Sequence, residues 1–359
     1  MSRNRSVARA SWIRAGFLLA FAVLLSAALL LVACGGGSSA NNSSPTPPSG
    51  APNQLGTANG VTVTCPTSMF GVVGSACYTV TISCPSVANY AADIKITNPS
   101  GTSIGTVIYT TGGGGNQLYE DQFAFGNVAI NNVVQAGYTA VQTNFNDTSI
   151  GNTGWLDGPG GPLLLSCRWA TLAQWVHDNT TIHPTNTAFC ATGNSGGAGV
   201  IAYALARFGE DSIFSYVLPT SGPPFTNIAD GCRCSQQTMQ TTKCAGVQGT
   251  CYGTDANMFL DPAYGNMDCS NPSATPQTST WLADSILSSD GKSVLNYKTP
   301  VHFIFGALDL GSGSALAVLW ENAITSTNSF ECIADGPHQI ADVMDGATAI
   351  ATDLINNCH

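Results

Sequence analysis

Charge is scarce in this sequence: Asp, Glu, Lys and Arg make up 9% of it, with 11 basic residues against 21 acids. A chain so poor in Lys and Arg cannot neutralise a run of phosphates, which excludes nucleic acid and anionic membrane surfaces as partners. Paired Cys-x-x-Cys spacings are missing too. Cys232-Arg233-Cys234 with Cys244 and Cys251 nearby is the nearest thing to a zinc module, and its spacing argues against one, so no metal and no cofactor is expected. No internal repeat is present, which excludes a repeat architecture. With so few charges, the surface must be built largely from Ser, Thr, Asn, Gln and Gly, and such a surface suits a secreted enzyme.

The basic residues that do occur are unevenly placed. Arg3, Arg5, Arg9 and Arg14 precede an uninterrupted apolar stretch from Gly16 to Ala33, the pattern of an export signal. It runs into Leu31-Val32-Ala33-Cys34, which resembles the lipobox of bacterial lipoproteins; the resemblance implies cleavage before Cys34 and lipidation of its thiol. A transmembrane anchor is the alternative, since eighteen apolar residues nearly span a bilayer. Gly35 in place of an acid favours the outer membrane, by resemblance to Gram-negative lipoproteins. The expected organisation is a signal over 1–33, a tether rich in Gly, Ser, Asn and Pro over 34–55 and one globular domain over 56–359. Without the four signal arginines, seven Lys and Arg face 21 acids, a formal charge of −14. The only membrane contact expected is the lipid anchor, and the domain is expected to be a monomer.

Setting Cys34 aside leaves twelve of the 13 cysteines, an even number that in an exported chain reads as up to six disulfides. If Cys167 pairs with Cys190 and Cys332 with Cys358, parity requires a bridge between the N-terminal region and the cysteines at 232–269.

Short β-rich runs open the domain: Val61 to Thr64, Tyr78 to Ser83, Ala92 to Thr97 and Thr106 to Thr111. From there strands alternate with helices. A helix around Asp121 to Gln135 is followed by a strand Tyr138 to Asn144, a helix Arg168 to Asp178, a strand before Ser195, a helix Gly197 to Phe208 and a strand Ser212 to Leu218. After an interruption come the strand Val301 to Phe305, a helix Ala315 to Thr325, a strand Ser329 to Ile333 and a helix Ile340 to Asn356. The alternation predicts a mainly parallel, three-layer α/β fold with helices on both faces of the sheet. The interruption, about 221–299, is Cys-rich and without clear periodicity. It reads as a disulfide-braced insert or lid, with Phe225, Tyr252, Phe259, Tyr264 and Trp281 available to line a cleft, or else as an excursion remote from any site.

Chemistry concentrates at Gly193-Asn194-Ser195-Gly196-Gly197, between an apolar run and a helical one. A serine on so sharp a strand-turn-helix junction needs small neighbours and projects its hydroxyl above the sheet edge. To act as a nucleophile it needs a base, and the base needs an orienting group. Of five histidines, His338 lies in the turn between the last strand and the last helix, where catalytic groups can share an edge with the serine. Asp309, at the end of the strand Val301 to Phe305, is the favoured acid; Asp335, three residues before His338, is its rival. Acyl transfer also requires backbone N–H donors for an oxyanion. Gly196 supplies one, and the loop Gly112 to Gly115 supplies the other through Gly113 or Gly114. A phosphate-binding reading of that loop fails because no Lys-Ser/Thr follows it.

The order glycine loop, Gly-x-Ser-x-Gly, Asp309, His338 resembles the α/β-hydrolase superfamily from about residue 75 to the end. The resemblance implies an eight-stranded, mostly parallel sheet, Ser195 as nucleophile, His338 as general base and then acid, Asp309 as its orienter, and an oxyanion hole from Gly196 with Gly113 or Gly114. Two departures set the chain apart: Thr111 stands where many lipases of the His-Gly-Gly-Gly type place histidine, and the insert is unusually rich in cysteine. The expected function is an exported, lipid-tethered serine hydrolase acting on a small or polymeric carboxylic ester, of the esterase, lipase or polyester-depolymerase type. A serine peptidase or amidase on the same fold, and a non-catalytic surface binding protein, are the alternatives.

Overall fold

The computed structural model describes residues 53–67, 71–145, 153–242, 244, 246–271 and 277–359. The export signal, Cys34 and all but the last residues of the expected tether lie outside the described residues. The end of that tether is docked: the Asn53 N–H donates to the Arg207 carbonyl at 2.6 Å and the Gly56 N–H to Thr171 Oγ1 at 2.8 Å. Gly56 and Asn53 are therefore held, respectively, to the helix Gly161–Asp178 and to the segment after the helix Gly196–Tyr203.

Nine strands form one sheet. They are β1 (Thr57–Val63), β2 (Ala76–Ser83), β3 (Tyr90–Thr97), β4 (Gly105–Thr110), β5 (Thr139–Asn144), β6 (Ala188–Asn194), β7 (Tyr216–Thr220), β10 (Val301–Gly306) and β11 (Asn328–Ile333), ordered β1-β2-β3-β5-β4-β6-β7-β10-β11. The three pairings β1–β2, β2–β3 and β3–β5 are antiparallel and the remaining five are parallel. A small separate hairpin, β8 (Met239–Thr242) with β9 (Gly246–Gly249), belongs to the insert. The sheet has one strand more than the eight that the family resemblance implies, and its nine strands correspond to the nine β-rich runs read from the sequence. The first, β1, is a largely exposed edge and pairs with β2 from Thr57 opposite Ser83 to Val63 opposite Cys77.

Strand alternation builds a core on each face, because successive side chains point to opposite sides. Val107 and Tyr109 of β4, Cys190 of β6, Leu218 of β7 and Ile304 of β10 join one core with α2 (Gly126–Gln135) and α9 (Met344–Asn357). Ile108, Ala191, Val217, Phe303 and Phe305 join the other with α3 (Gly161–Asp178), α4 (Gly196–Tyr203) and α8 (Ser312–Ala323). This is the three-layer α/β-hydrolase architecture. A short α1 (Tyr119–Gln122) precedes α2, so the helix expected from Asp121 is broken at 123–125. The insert contributes α5 (Ile228–Cys232), α6 (Asp261–Tyr264) and α7 (Thr278–Asp284), none long enough to leave a periodic signature in the sequence.

Six disulfides form, but not in the expected pairs. They are Cys65–Cys77, Cys84–Cys167, Cys190–Cys358, Cys232–Cys269, Cys234–Cys251 and Cys244–Cys332. Cys167 and Cys190 cannot meet because they lie in the cores on opposite faces of the sheet. Each instead takes a partner on its own face, Cys84 at the end of β2 and Cys358 after α9. The insert is tied by Cys244 to β11 rather than to the N-terminal region.

Candidate active site

Ser195 sits where β6 turns into α4, at φ 51° and ψ −112°, a region that a side chain enters only under constraint. Two backbone bonds hold it there: its N–H donates to the Thr220 carbonyl of β7 at 2.8 Å, and its carbonyl accepts from the Gly199 N–H at 3.0 Å. The turn tolerates no larger neighbours. A Cβ on Gly193 would stand 2.6 Å from the Gly197 carbonyl carbon, and one on Gly196 would stand 2.1 Å from the Gly113 carbonyl oxygen.

Asp309 lies in the loop after β10, 1% exposed, and is saturated with donors. The Gly311 N–H donates to Oδ1 at 2.7 Å, Ser314 Oγ donates to Oδ2, and His338 Nδ1 lies 3.1 and 3.0 Å from the two oxygens. Burial pushes the carboxyl up, but the hydrogen bond and charge of His338, with the Ser314 and Gly311 bonds, outweigh it and hold Asp309 below the usual carboxylate range. Burial likewise pushes His338 down, yet its bond to Asp309 and the charges of Asp309 and Asp255 raise it above the ordinary imidazole value. With Nδ1 committed to the carboxylate, Nε2 is left for chemistry. Asp335, the rival acid, is exposed and makes no bond to His338 among the described residues. Other histidines are engaged elsewhere: His183 bonds Thr106 and is pushed down to about 4 by burial and by His177, while His302 bonds Ser329.

Ser195 and His338 line one cleft of ≈ 720 Å³ together with Gly112, Gly113 and Gly114. No hydrogen bond joins the serine to the histidine among the described residues; catalytic hydrogen bonds of this kind often tighten only in a substrate complex. Gly196 is the first residue of α4, and its N–H has no acceptor within the helix. Beside it, at φ 58°, lies Gly113, whose nitrogen is 3.0 Å from the position of a Cβ on Gly196. Gly114 faces a different neighbour: its carbonyl accepts from the Trp155 N–H at 2.8 Å, and a Cβ on it would stand 1.7 Å from the Thr153 oxygen. Of the two glycines expected to supply a second donor, Gly113 is therefore the one beside Gly196. An amide at a helix N-terminus and one from a neighbouring glycine loop can together stabilise a developing oxyanion.

Three residues to which the sequence reading gave no role complete the framework. Asn194, 1% exposed, accepts at Oδ1 from Thr220 Oγ1 at 2.9 Å and from the Ile340 N–H at 3.3 Å, tying the serine turn to the segment that follows His338. Ser314 fixes the acid, and Gln248 of β9 donates from Nε2 to the Asp309 carbonyl. The Gly-x-Ser-x-Gly pattern leaves its second position open, so only the fold could reveal Asn194; Gln248 carries no sequence signal at all.

The insert does reach the cleft, through Asp255, Asn257, Met258, Phe259 and Pro262. A smaller side pocket of ≈ 30 Å³ adjoins Ser195 and Gly196, lined by Gly113, Pro224, Phe225, Tyr252, Asp255, Phe259 and Leu260. Tyr264 and Trp281, expected to be available to line a cleft, line neither of these two spaces. Trp281 is 2% exposed and packed in the core behind the insert, and Tyr264 packs against that same core.

No family model matches the chain, and no curated protein does. Solved structures match across most of it at low identity. A puromycin hydrolase superposes with a TM-score of 0.52 at 12% identity, covering 77% of this chain and 38% of its own length. A protein of Agrobacterium vitis S4 solved as a candidate hydrolase superposes with a TM-score of 0.50 at 12% identity, covering 79% of this chain and 98% of its own. These likenesses are likenesses of fold.

Proposed function

We propose that this protein is an exported, lipid-anchored serine hydrolase that cleaves carboxylic esters through an acyl-enzyme. The observation that carries the reading is the convergence on a constrained Ser195 of a His338 bonded through Nδ1 to buried Asp309 on the cleft side and of Gly196, beside Gly113, on the side-pocket side. In the first half-reaction Ser195 Oγ attacks the ester carbonyl as His338 Nε2 takes its proton. The oxyanion is held by the Gly196 and Gly113 N–H groups while Asp309 stabilises the imidazolium. His338 then protonates the departing alcohol. Water, deprotonated by the same nitrogen, attacks the acyl-serine and releases the acid.

Purified protein is expected to hydrolyse p-nitrophenyl butyrate and to leave amino-acid p-nitroanilides intact, with ester turnover lost in Ser195→Ala. Cleavage of the anilides alone would replace this reading with a peptidase, and cleavage of neither with a binding protein. The anchor is tested separately. Cys34→Ala is expected to move the protein from the membrane fraction to the soluble exported fraction, because the acyl chains would then be absent; an unchanged membrane fraction contradicts lipidation at Cys34.

A further inference from the structure

The cleft and the side pocket share Ser195, Gly113, Asp255 and Phe259 but differ in what else they hold. The cleft contains His338, the group that must hand a proton to the departing alcohol; the side pocket does not. The side pocket contains Gly196 and shares Gly113 with the cleft, so both amides proposed to hold the oxyanion border it. A tetrahedral centre on Ser195 has its leaving oxygen on the histidine side and its acyl chain on the other. The alcohol therefore lies in the cleft and the acyl chain in the side pocket.

Much of that pocket's wall is built from groups that cannot readily move. Phe225 is 3% exposed, its ring edge-on to Trp155 and stacked on Tyr203; Leu260 is 1% exposed; Tyr252 is 5% exposed and its hydroxyl donates to the Pro224 carbonyl at 2.9 Å. The half-buried Phe259 ring lies against Gly113, 3.0 Å from where a Cβ on that glycine would stand. The free volume of ≈ 30 Å³ is room for about two water-sized groups, so the chain beyond the carbonyl is limited to about two or three carbons. Asp255 borders both spaces. Its carboxylate has no hydrogen-bond partner among the described residues, and no Lys or Arg lines either space to offset it. A negative charge on the acyl chain would meet it directly.

Resting on the ester-hydrolase reading, we infer that the side pocket is the acyl subsite and that Phe259 and Asp255 restrict it to short acyl groups without negative charge. The test compares kcat/KM for p-nitrophenyl butyrate, octanoate, hydrogen succinate and levulinate, the last being the uncharged isostere of hydrogen succinate. Butyrate is expected to exceed octanoate, and levulinate to exceed hydrogen succinate, each by about tenfold or more. Phe259→Ala, or Phe259→Leu if the alanine variant is unstable, should raise the octanoate-to-butyrate ratio several-fold. Asp255→Asn should raise the hydrogen succinate-to-levulinate ratio several-fold and leave the octanoate-to-butyrate ratio in place. Ratios within one variant are insensitive to how much of it is folded. Ester turnover with octanoate as good as butyrate, or ratios that do not respond to these substitutions, overturns this inference alone. No turnover of any ester overturns the hydrolase reading and this inference with it.

Discussion

At the scale of the residue, two carboxylates and burial act on His338, and their balance sets when it can act as a base. Asp309 and Asp255 both raise its pKa above the ordinary value of 6.5 against the opposing effect of burial. A general base must be neutral to accept the serine proton, so activity should rise as pH climbs through the raised pKa and be lost below it. Removing the Asp255 charge removes one of the raising effects. The acid limb of kcat/KM for an uncharged ester should therefore move to lower pH in Asp255→Asn, and a limb that stays in place or moves up contradicts the coupling. His338→Ala should lower kcat by about 10⁴-fold or more. The His338 side chain is 39% exposed and packs little core, so the thermal midpoint of that variant should stay near that of the parent; a retained kcat would mean that another residue is the base.

At the scale of the element, the site depends on how β6, α4 and the loops after β10 and β11 are joined. The glycines of the serine turn were legible in the sequence because a close backbone approach admits nothing else, Asp309 because it follows a strongly apolar strand, and His338 because it lies in the turn between the last strand and the last helix. The joints between these elements were not. Asn194 reads as an unconstrained position of a motif, yet its Oδ1 bonds both Thr220 and Ile340 and so fixes the distance between the serine turn and the histidine loop. Asn194→Ala would leave a buried hydroxyl and a buried N–H without that acceptor, at about 1–3 kcal/mol. The expected result is a lower urea midpoint together with a reduced kcat; an unchanged midpoint would show that the joint is not structural. The insert was less legible for another reason. Its α5, α6 and α7 are each seven residues or shorter, and it is held by Cys232–Cys269, Cys234–Cys251 and Cys244–Cys332 rather than by an amphipathic stripe.

At the scale of the molecule, the layering followed from sequence, since strands buried on both faces read as unbroken apolar or small-residue runs and the intervening helices do not. The disulfide connectivity did not follow, because pairing is decided by which face of the sheet each cysteine occupies. Cys190 and Cys358 are 168 residues apart, and their bridge fastens α9, the element after the histidine loop, to the strand that carries Ser195. Closing so long a loop restricts the unfolded chain most, by on the order of 5 kcal/mol in the chain-entropy model. The double variant Cys190→Ala, Cys358→Ala should lose a large part of that in denaturant unfolding, whereas loss of the local Cys65–Cys77 bridge, 12 residues apart, should cost less; equal losses would contradict the topological argument.

The central claim is that Ser195 is a nucleophile activated by His338, and a fluorophosphonate probe reads this without any knowledge of the substrate. Incubation of the purified protein followed by peptide mapping is predicted to place one phosphonate adduct on Ser195, lost in Ser195→Ala and strongly slowed in His338→Ala. No adduct on the parent protein, or the same adduct in Ser195→Ala, would contradict the account.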